Sequence, residues 1–229
     1  MGFDEDDMAT DDLFAGALDE IGMDEGPAPC LVALHGRPTR HVFEGAVGLL
    51  ACEEPAKREL GARILRELGS YDTEGRRPFT RETIEAAVRE IPSEPDPGVL
   101  RWLISVLGYH NAHETLDLVL GHQSHTAQPV RFAVAAALPS LADPERTQDR
   151  VVEALLKLSE DEDEAVRWYA LYALFQETVA VTDEQRTEWA RGLIERGDTD
   201  RRAQLHHLGT TLDNADTALR EVLGRAPGT

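Results

Sequence analysis

Lysine is almost missing from this 229-residue chain: Lys57 and Lys157 stand alone against a set of bases that is otherwise all arginine. No base of either kind precedes Arg37, whereas ten acids do (Asp4, Glu5, Asp6, Asp7, Asp11, Asp12, Asp19, Glu20, Asp24 and Glu25). Half of the net charge of -20 comes from that opening stretch. Charge of this size repels phosphate backbones, so nucleic-acid binding is disfavoured and a basic protein partner is favoured. Cysteine is scarce too. Cys30 and Cys52 have no metal-ligand spacing and cannot supply a disulfide framework. No apolar run approaches the ~20 residues that cross a bilayer. The acidic start has no apolar h-region, so it is not read as a secretory signal, and a cytoplasmic chain is expected.

Catalytic motifs are missing as well. There is no Gly-rich phosphate loop, no G-x-S-x-G, no H-E-x-x-H and no Cys-x-x-Cys. The pairs His110-x-x-His113 and His122-x-x-His125 look like metal ligands. At 1.5 Å of rise per residue, however, they lie about 10 Å or more apart along one helix, too far for a single zinc ion. His206 and His207 are adjacent and point in different directions along a helix. No catalytic residue, metal or cofactor is assigned.

What the chain has is a repeat. Pro129-Val-Arg-Phe-Ala-Val-Ala-Ala-Ala-Leu138 is rewritten as Ala165-Val-Arg-Trp-Tyr-Ala-Leu-Tyr-Ala-Leu174, with a more polar amphipathic stretch between them. A long helix, a turn and an apolar helix, recurring, is the pattern of a helical solenoid. Five pairs are read at about 39–51 with 54–69, 80–91 with 97–108, 113–122 with 128–142, 144–159 with 162–177, and 183–196 with 199–211. Asp96-Pro97 and Asp143-Pro144 place a capping acid before a helix-starting proline, and Thr182-x-x-Gln185 has capping-box spacing. Gly69 is read as a terminator. Residues 1–30 form an acidic arm whose positions 9–22 are helical, either capping the array or folding onto a partner. The array spans 31–224, residues 214–224 form a closing helix, and 225–229 are a loose tail. Aligned on Arg58, Arg101, Arg131, Arg167 and Arg201 or Arg202, the second helices recur every mid-thirties residues once the insertion from Ser70 to Phe79 is removed.

The acidic turn followed by Val-Arg-x-x-Ala-x-x-Ala-Leu resembles HEAT repeats, of the short subtype also seen in phycobilin lyases. The best matches are Asp163 through Leu174 and Pro129 through Leu138. The resemblance implies an all-α, right-handed α-solenoid of about five helix pairs with terminal caps. It also implies that Arg58, Arg101, Arg131 and Arg167 tie neighbouring repeats together through acids such as Asp163. Of the enzymes on this architecture, the di-iron hydroxylases need paired His-Glu motifs on several repeats, and this chain has one, at His113-Glu114. The glycosylases need a basic groove.

Trp102, Phe132 and Trp168 each follow a repeat arginine, and Trp168 shares a stripe with Leu171, Tyr172 and Phe175. These rings either pack in the core or line the concave face, where Trp102, Phe132, Trp168, Tyr172 and Phe175 would anchor a protein partner. Three functions stand: a protein-binding scaffold or adaptor, an acidic inhibitor or immunity-type protein that neutralises a basic enzyme, and a HEAT-fold enzyme, the last disfavoured. Oligomeric state is not legible.

Overall fold

The computed structural model describes residues 9–23 and 26–196. The readings at 1–8, 199–211, 214–224 and 225–229, with Arg201, Arg202, His206 and His207, lie outside these residues. All regular structure among the described residues is helical. The chain divides into two compact units, residues 1–141 and 142–229.

Unit 1 begins with α1 (Thr10–Ile21) and α2 (Pro29–His35), which pack on each other and on α4. Leu13 and Ala17 of α1 are buried. Pairs follow: α3 (Arg40–Leu50) with α4 (Pro55–Glu67), α5 (Thr80–Glu90) with α6 (Pro97–Tyr109), and α7 (Leu116–Leu120) with α8 (Gln128–Leu141). The second helices stack in chain order, α4 on α6 and α6 on α8. That side-by-side stacking makes this an all-α solenoid rather than a closed bundle. Its core is a ladder at helical spacing: Leu60 and Ile64 of α4, Leu103 and Leu107 of α6, Val134 and Leu138 of α8, all fully buried. Each such leucine or isoleucine contributes about 1.5–3 kcal/mol relative to exposure. Close approach needs a missing side chain at Gly61, where a Cβ would lie 2.6 Å from the Ala46 carbonyl of α3.

The starts of these helices follow local chemistry. Thr39 Oγ1 accepts from Val42 N at 3.3 Å, and Asp96 Oδ1 accepts from Val99 N at 3.0 Å, directly before Pro97. Both satisfy a donor that the first turn leaves open. α4 ends at Glu67, and Gly69 takes φ +75, a left-handed conformation that suits glycine.

In unit 2, α9 (Asp149–Leu158) packs on α10 (Glu164–Tyr172) and on the π turn Ala173–Glu177 that widens its end. Asp163 Oδ1 caps α10 through Val166 N at 3.1 Å. α11 (Asp183–Arg196) opens on a reciprocal capping box: Gln185 N donates to Thr182 Oγ1 at 3.3 Å, and Thr182 N donates to Gln185 Oε1 at 2.9 Å.

Two sequence expectations need correction, and one helix was not foreseen. Asp143-Pro144 does not start a helix. Asp143 Oδ1 accepts from Glu145 N at 2.8 Å and Arg146 N at 3.3 Å, closing a turn instead. Thr147 is then held against Val179 by two bonds of 3.1 and 2.8 Å, and the helix opens only at Asp149. The helix read at 113–122 is a 3-10 turn, His113–Thr115, running into the five-residue α7. α2 was not expected at all. Its N-terminus is capped from another helix: Glu20 of α1 accepts from Cys30 N at 2.8 Å and Leu31 N at 3.1 Å.

Candidate functional site

Three repeat arginines share one geometry. Arg58 donates to the carbonyls of Cys52 and Glu53 at 3.0 and 2.7 Å, Arg131 to those of His125 and Thr126 at 3.0 and 2.9 Å, and Arg167 to those of Asp161 and Glu162 at 2.9 and 2.8 Å. In each case the acceptors stand six and five residues earlier, so the arginine ties down the turn that precedes its own helix. Arg58 adds a fork onto Glu94, with two bonds of 2.8 Å reaching the turn ahead of α6. The Arg58 side chain is 12% exposed and that of Glu94 only 3%, which makes this a largely covered link between adjacent pairs.

Arg101 does not belong to this series. Arg58, Arg131 and Arg167 lie in the fourth position of α4, α8 and α10, and the fourth position of α6 is Leu100, which is buried. Arg101 and Trp102 are therefore one residue further along than the pattern required, a rotation of about 100° per residue. The position shared by Phe132 and Trp168 holds Arg101 in α6 and Glu59 in α4. Trp102 is thus not at the helix position that Phe132 holds in α8 and Trp168 in α10, so the three rings are not equivalent within their helices.

The slip builds something else. Trp102 is half-buried, and its Nε1 donates to Glu59 Oε1 at 2.9 Å. Three guanidiniums lie on its ring: Arg101 at 4.6 Å, Arg63 at 4.8 Å and Arg66 at 5.0 Å from the centroid. Arg66 also lies 4.0 Å from the ring of Tyr109, two helical turns beyond Trp102. Tyr71, from the inserted loop, donates its hydroxyl to the Tyr109 carbonyl at 3.1 Å and carries Arg77 on its face at 4.1 Å. Arg77 in turn donates to the carbonyls of Glu67 and Gly69, fastening the loop to the end of α4. Rings and guanidiniums run together across α4, α6 and the loop, with Tyr71 and Tyr109 joined directly by a hydrogen bond.

The charges on this stripe do not balance. Glu59 Oε1 serves Arg63 at 3.3 Å and Arg101 at 3.8 Å, and Glu67 serves Arg66 at 2.9 Å. Three guanidiniums thus share two carboxylates, and Arg77 bonds only backbone carbonyls. Burial pulls the Arg63 guanidinium below its ordinary value; Glu59 opposes this, and repulsion from Arg101 and Arg66 adds to it. Arg101 remains 40% exposed, with Tyr71 and Tyr109 at 49% and 38%.

Unit 2 carries a second aromatic group, on α10. Trp168 and Tyr172 stack at 5.6 Å with planes 8° apart, and Tyr169 meets them edge-on at 6.5 and 5.7 Å. All three are half-buried. Phe132, on α8 of unit 1, is half-buried as well. Phe175 is 2% exposed within the π turn, so it is a core residue rather than a partner anchor. Asp163 serves as the cap of α10, whereas the Arg167 bonds named above go to backbone carbonyls.

Among the described residues, no three of His, Cys, Asp and Glu are placed to hold a metal ion. His110 is buried, and its Nε2 donates to the Leu65 carbonyl at 3.0 Å. His122 and His125 lie 6.3 Å apart, ring to ring. Sequence reasoning missed Arg63, Arg66, Arg77, Tyr71 and Tyr109. Arg63 and Arg66 at i,i+3 and Trp102 and Tyr109 at i,i+7 were the available signals, each placing two groups on one helix face.

Residues 84–174 match the family model for HEAT repeats. An engineered protein of solved structure is 17% identical and aligns with a TM-score of 0.51, covering 94% of this chain and 87% of that one. A chain from the complex of CpcE and CpcF of phycocyanin lyase from Nostoc sp. PCC7120 is 18% identical and aligns at 0.44, covering 94% of this chain and 81% of that one. Nothing matches among curated proteins. No helix among the described residues is long and apolar enough to cross a membrane.

Proposed function

We propose that this HEAT-repeat protein is a non-enzymatic scaffold that binds another protein through the outer surfaces of its second helices. The observation that carries the reading is Trp102. A tryptophan held at half exposure by a hydrogen bond and three guanidiniums is pre-organised for contact. Trp, Tyr and Arg are also the residues on which interface energy concentrates. Rings fixed in advance lose little conformational freedom on binding.

Trp168 and Tyr172 are proposed as the corresponding anchors on unit 2. The basic partner expected from net charge has its best support there, because the acids Glu160 to Glu164 directly precede these rings. A cation would meet both the acids and the ring faces.

The test is a photo-reactive aromatic residue, benzoylphenylalanine, at position 102, which keeps a ring there, with a control at Glu85, which is exposed on α5. A discrete protein adduct at 102, absent at 85, and lost binding of that purified protein by a Trp102→Ala variant that still unfolds cooperatively are expected. Equal labelling at both positions, or a Trp102→Ala variant that binds normally, would refute the reading.

A further inference from the structure

We infer that the stripe running across α4, α6 and the Ser70–Phe79 loop is a docking surface for an acidic segment of a partner protein, one that offers carboxylates beside aromatic or apolar side chains. The inference rests on the binding role proposed above and names the chemistry of the partner for one surface.

The argument is one of charge and geometry. The chain as a whole carries -20, yet this stripe sets Arg63, Arg66, Arg77 and Arg101 against Glu59 and Glu67, and even with Asp72, Glu74 and Arg76 of the loop counted a small cationic excess remains. At physiological ionic strength the Debye length is about 8 Å, so an occupant seated here feels the stripe more than the distant acids. Arg66 is held by the Tyr109 hydroxyl and Glu67, and Arg77 by the Glu67 and Gly69 carbonyls. Arg101, 40% exposed and only 3.8 Å from its carboxylate, is the guanidinium with an edge open to an acceptor. Planar guanidinium edges match carboxylate geometry, and a ring face accepts a further aromatic or apolar side chain.

Glu59 shows what the surface accepts. A single carboxylate oxygen of the chain itself takes Trp102 Nε1 and stands beside both Arg63 and Arg101. An incoming carboxylate would share or replace that role. A basic segment would meet four guanidiniums and is excluded from this surface by the same charges. Extended nucleic acid shares the anionic chemistry, but its continuous phosphate charge would run past the stripe into the acidic remainder of the chain.

The experiment measures binding of the full chain to three fluorescent probes: a short peptide alternating glutamate and tyrosine, its lysine-tyrosine twin, and a single-stranded oligonucleotide of equal charge to the acidic peptide. The acidic peptide is expected to bind at least about tenfold more tightly than either alternative, a difference equivalent to one good interface contact. Arg101→Ala, at an exposed position, is expected to weaken it about tenfold. Glu59→Gln keeps an acceptor for Trp102 while removing the competing charge, and is expected to strengthen it. Melting temperatures of both variants establish that they are folded. Preference for the lysine peptide overturns the acidic assignment and leaves the scaffold reading intact. Preference for the oligonucleotide overturns it in favour of nucleic acid. Acidic-peptide binding that neither variant alters places the site elsewhere and overturns the inference. If no probe binds while position 102 still cross-links a protein, only the partner chemistry is wrong. If both fail, the scaffold reading falls with it.

Discussion

His110 sits where α4, α5 and α6 meet, with Nε2 donating to the Leu65 carbonyl and Nδ1 3.0 Å from Thr80 Oγ1. His35 donates in the same way to the Arg63 carbonyl, also at 3.0 Å. Burial, the largest cause in both, lowers their pKa values below the ordinary 6.5, so the folded chain holds them neutral. Unfolding then takes up protons below about pH 6.5, and stability is fully present above that value and lost as pH falls toward the folded pKa values. Urea midpoints should therefore drop between about pH 7.5 and pH 5.5, and His110→Gln should flatten that slope. A midpoint independent of pH in that interval would contradict the neutral assignment. The aromatics are tested by contrast with the core. Val166 is fully buried, so Val166→Asp should cost at least about 3–5 kcal/mol, whereas Trp168→Ala, at half burial, should cost less than about 3 kcal/mol in chemical denaturation. At this scale the sequence was legible where one residue acts locally, as with the caps at Asp96 and Thr182. It misled where register mattered, because Arg101 sits close enough to the repeat position to be mistaken for it. Only its distance from the cap separates the two.

Between elements, the Arg58–Glu94 fork joins the α3/α4 pair to the turn ahead of α6. Glu94→Ala should leave a largely covered guanidinium without its carboxylate and lower stability by about 1–3 kcal/mol, read from equilibrium unfolding. A loss below about 1 kcal/mol would show that the carbonyls of Cys52 and Glu53 suffice to hold Arg58. Helix pairs, their order and their approximate bounds were readable from periodicity, since the buried faces of α4, α6 and α8 recur at helical spacing. What periodicity did not reveal were non-local arrangements. α2 owes its start to Glu20 on another helix, and the delayed start of α9 follows from Thr147 pairing with Val179, thirty-two residues away. Neither arrangement leaves a mark in the adjacent sequence. The ring and guanidinium stripe has the same character, since its parts come from three segments.

Across the whole chain, net charge of -20 means that folding compresses like charges. Added salt screens this repulsion, so the melting temperature should rise as sodium chloride goes from a few millimolar to about 0.5 M. A fall over that range would mean that specific ion pairs outweigh the general repulsion. The Ser70–Phe79 loop has one more consequence. It stands between two helix pairs, is anchored to α4 through Arg77, and contributes Tyr71 to the exposed stripe without supplying the stacked second helices. Recognition and folding are therefore separable within it: Arg77 and Phe79 hold the helices, so exchanging only the exposed residues 71–76 would rewrite ligand preference while the helical stack stays as it is, which makes that stretch the natural place to diversify in a library.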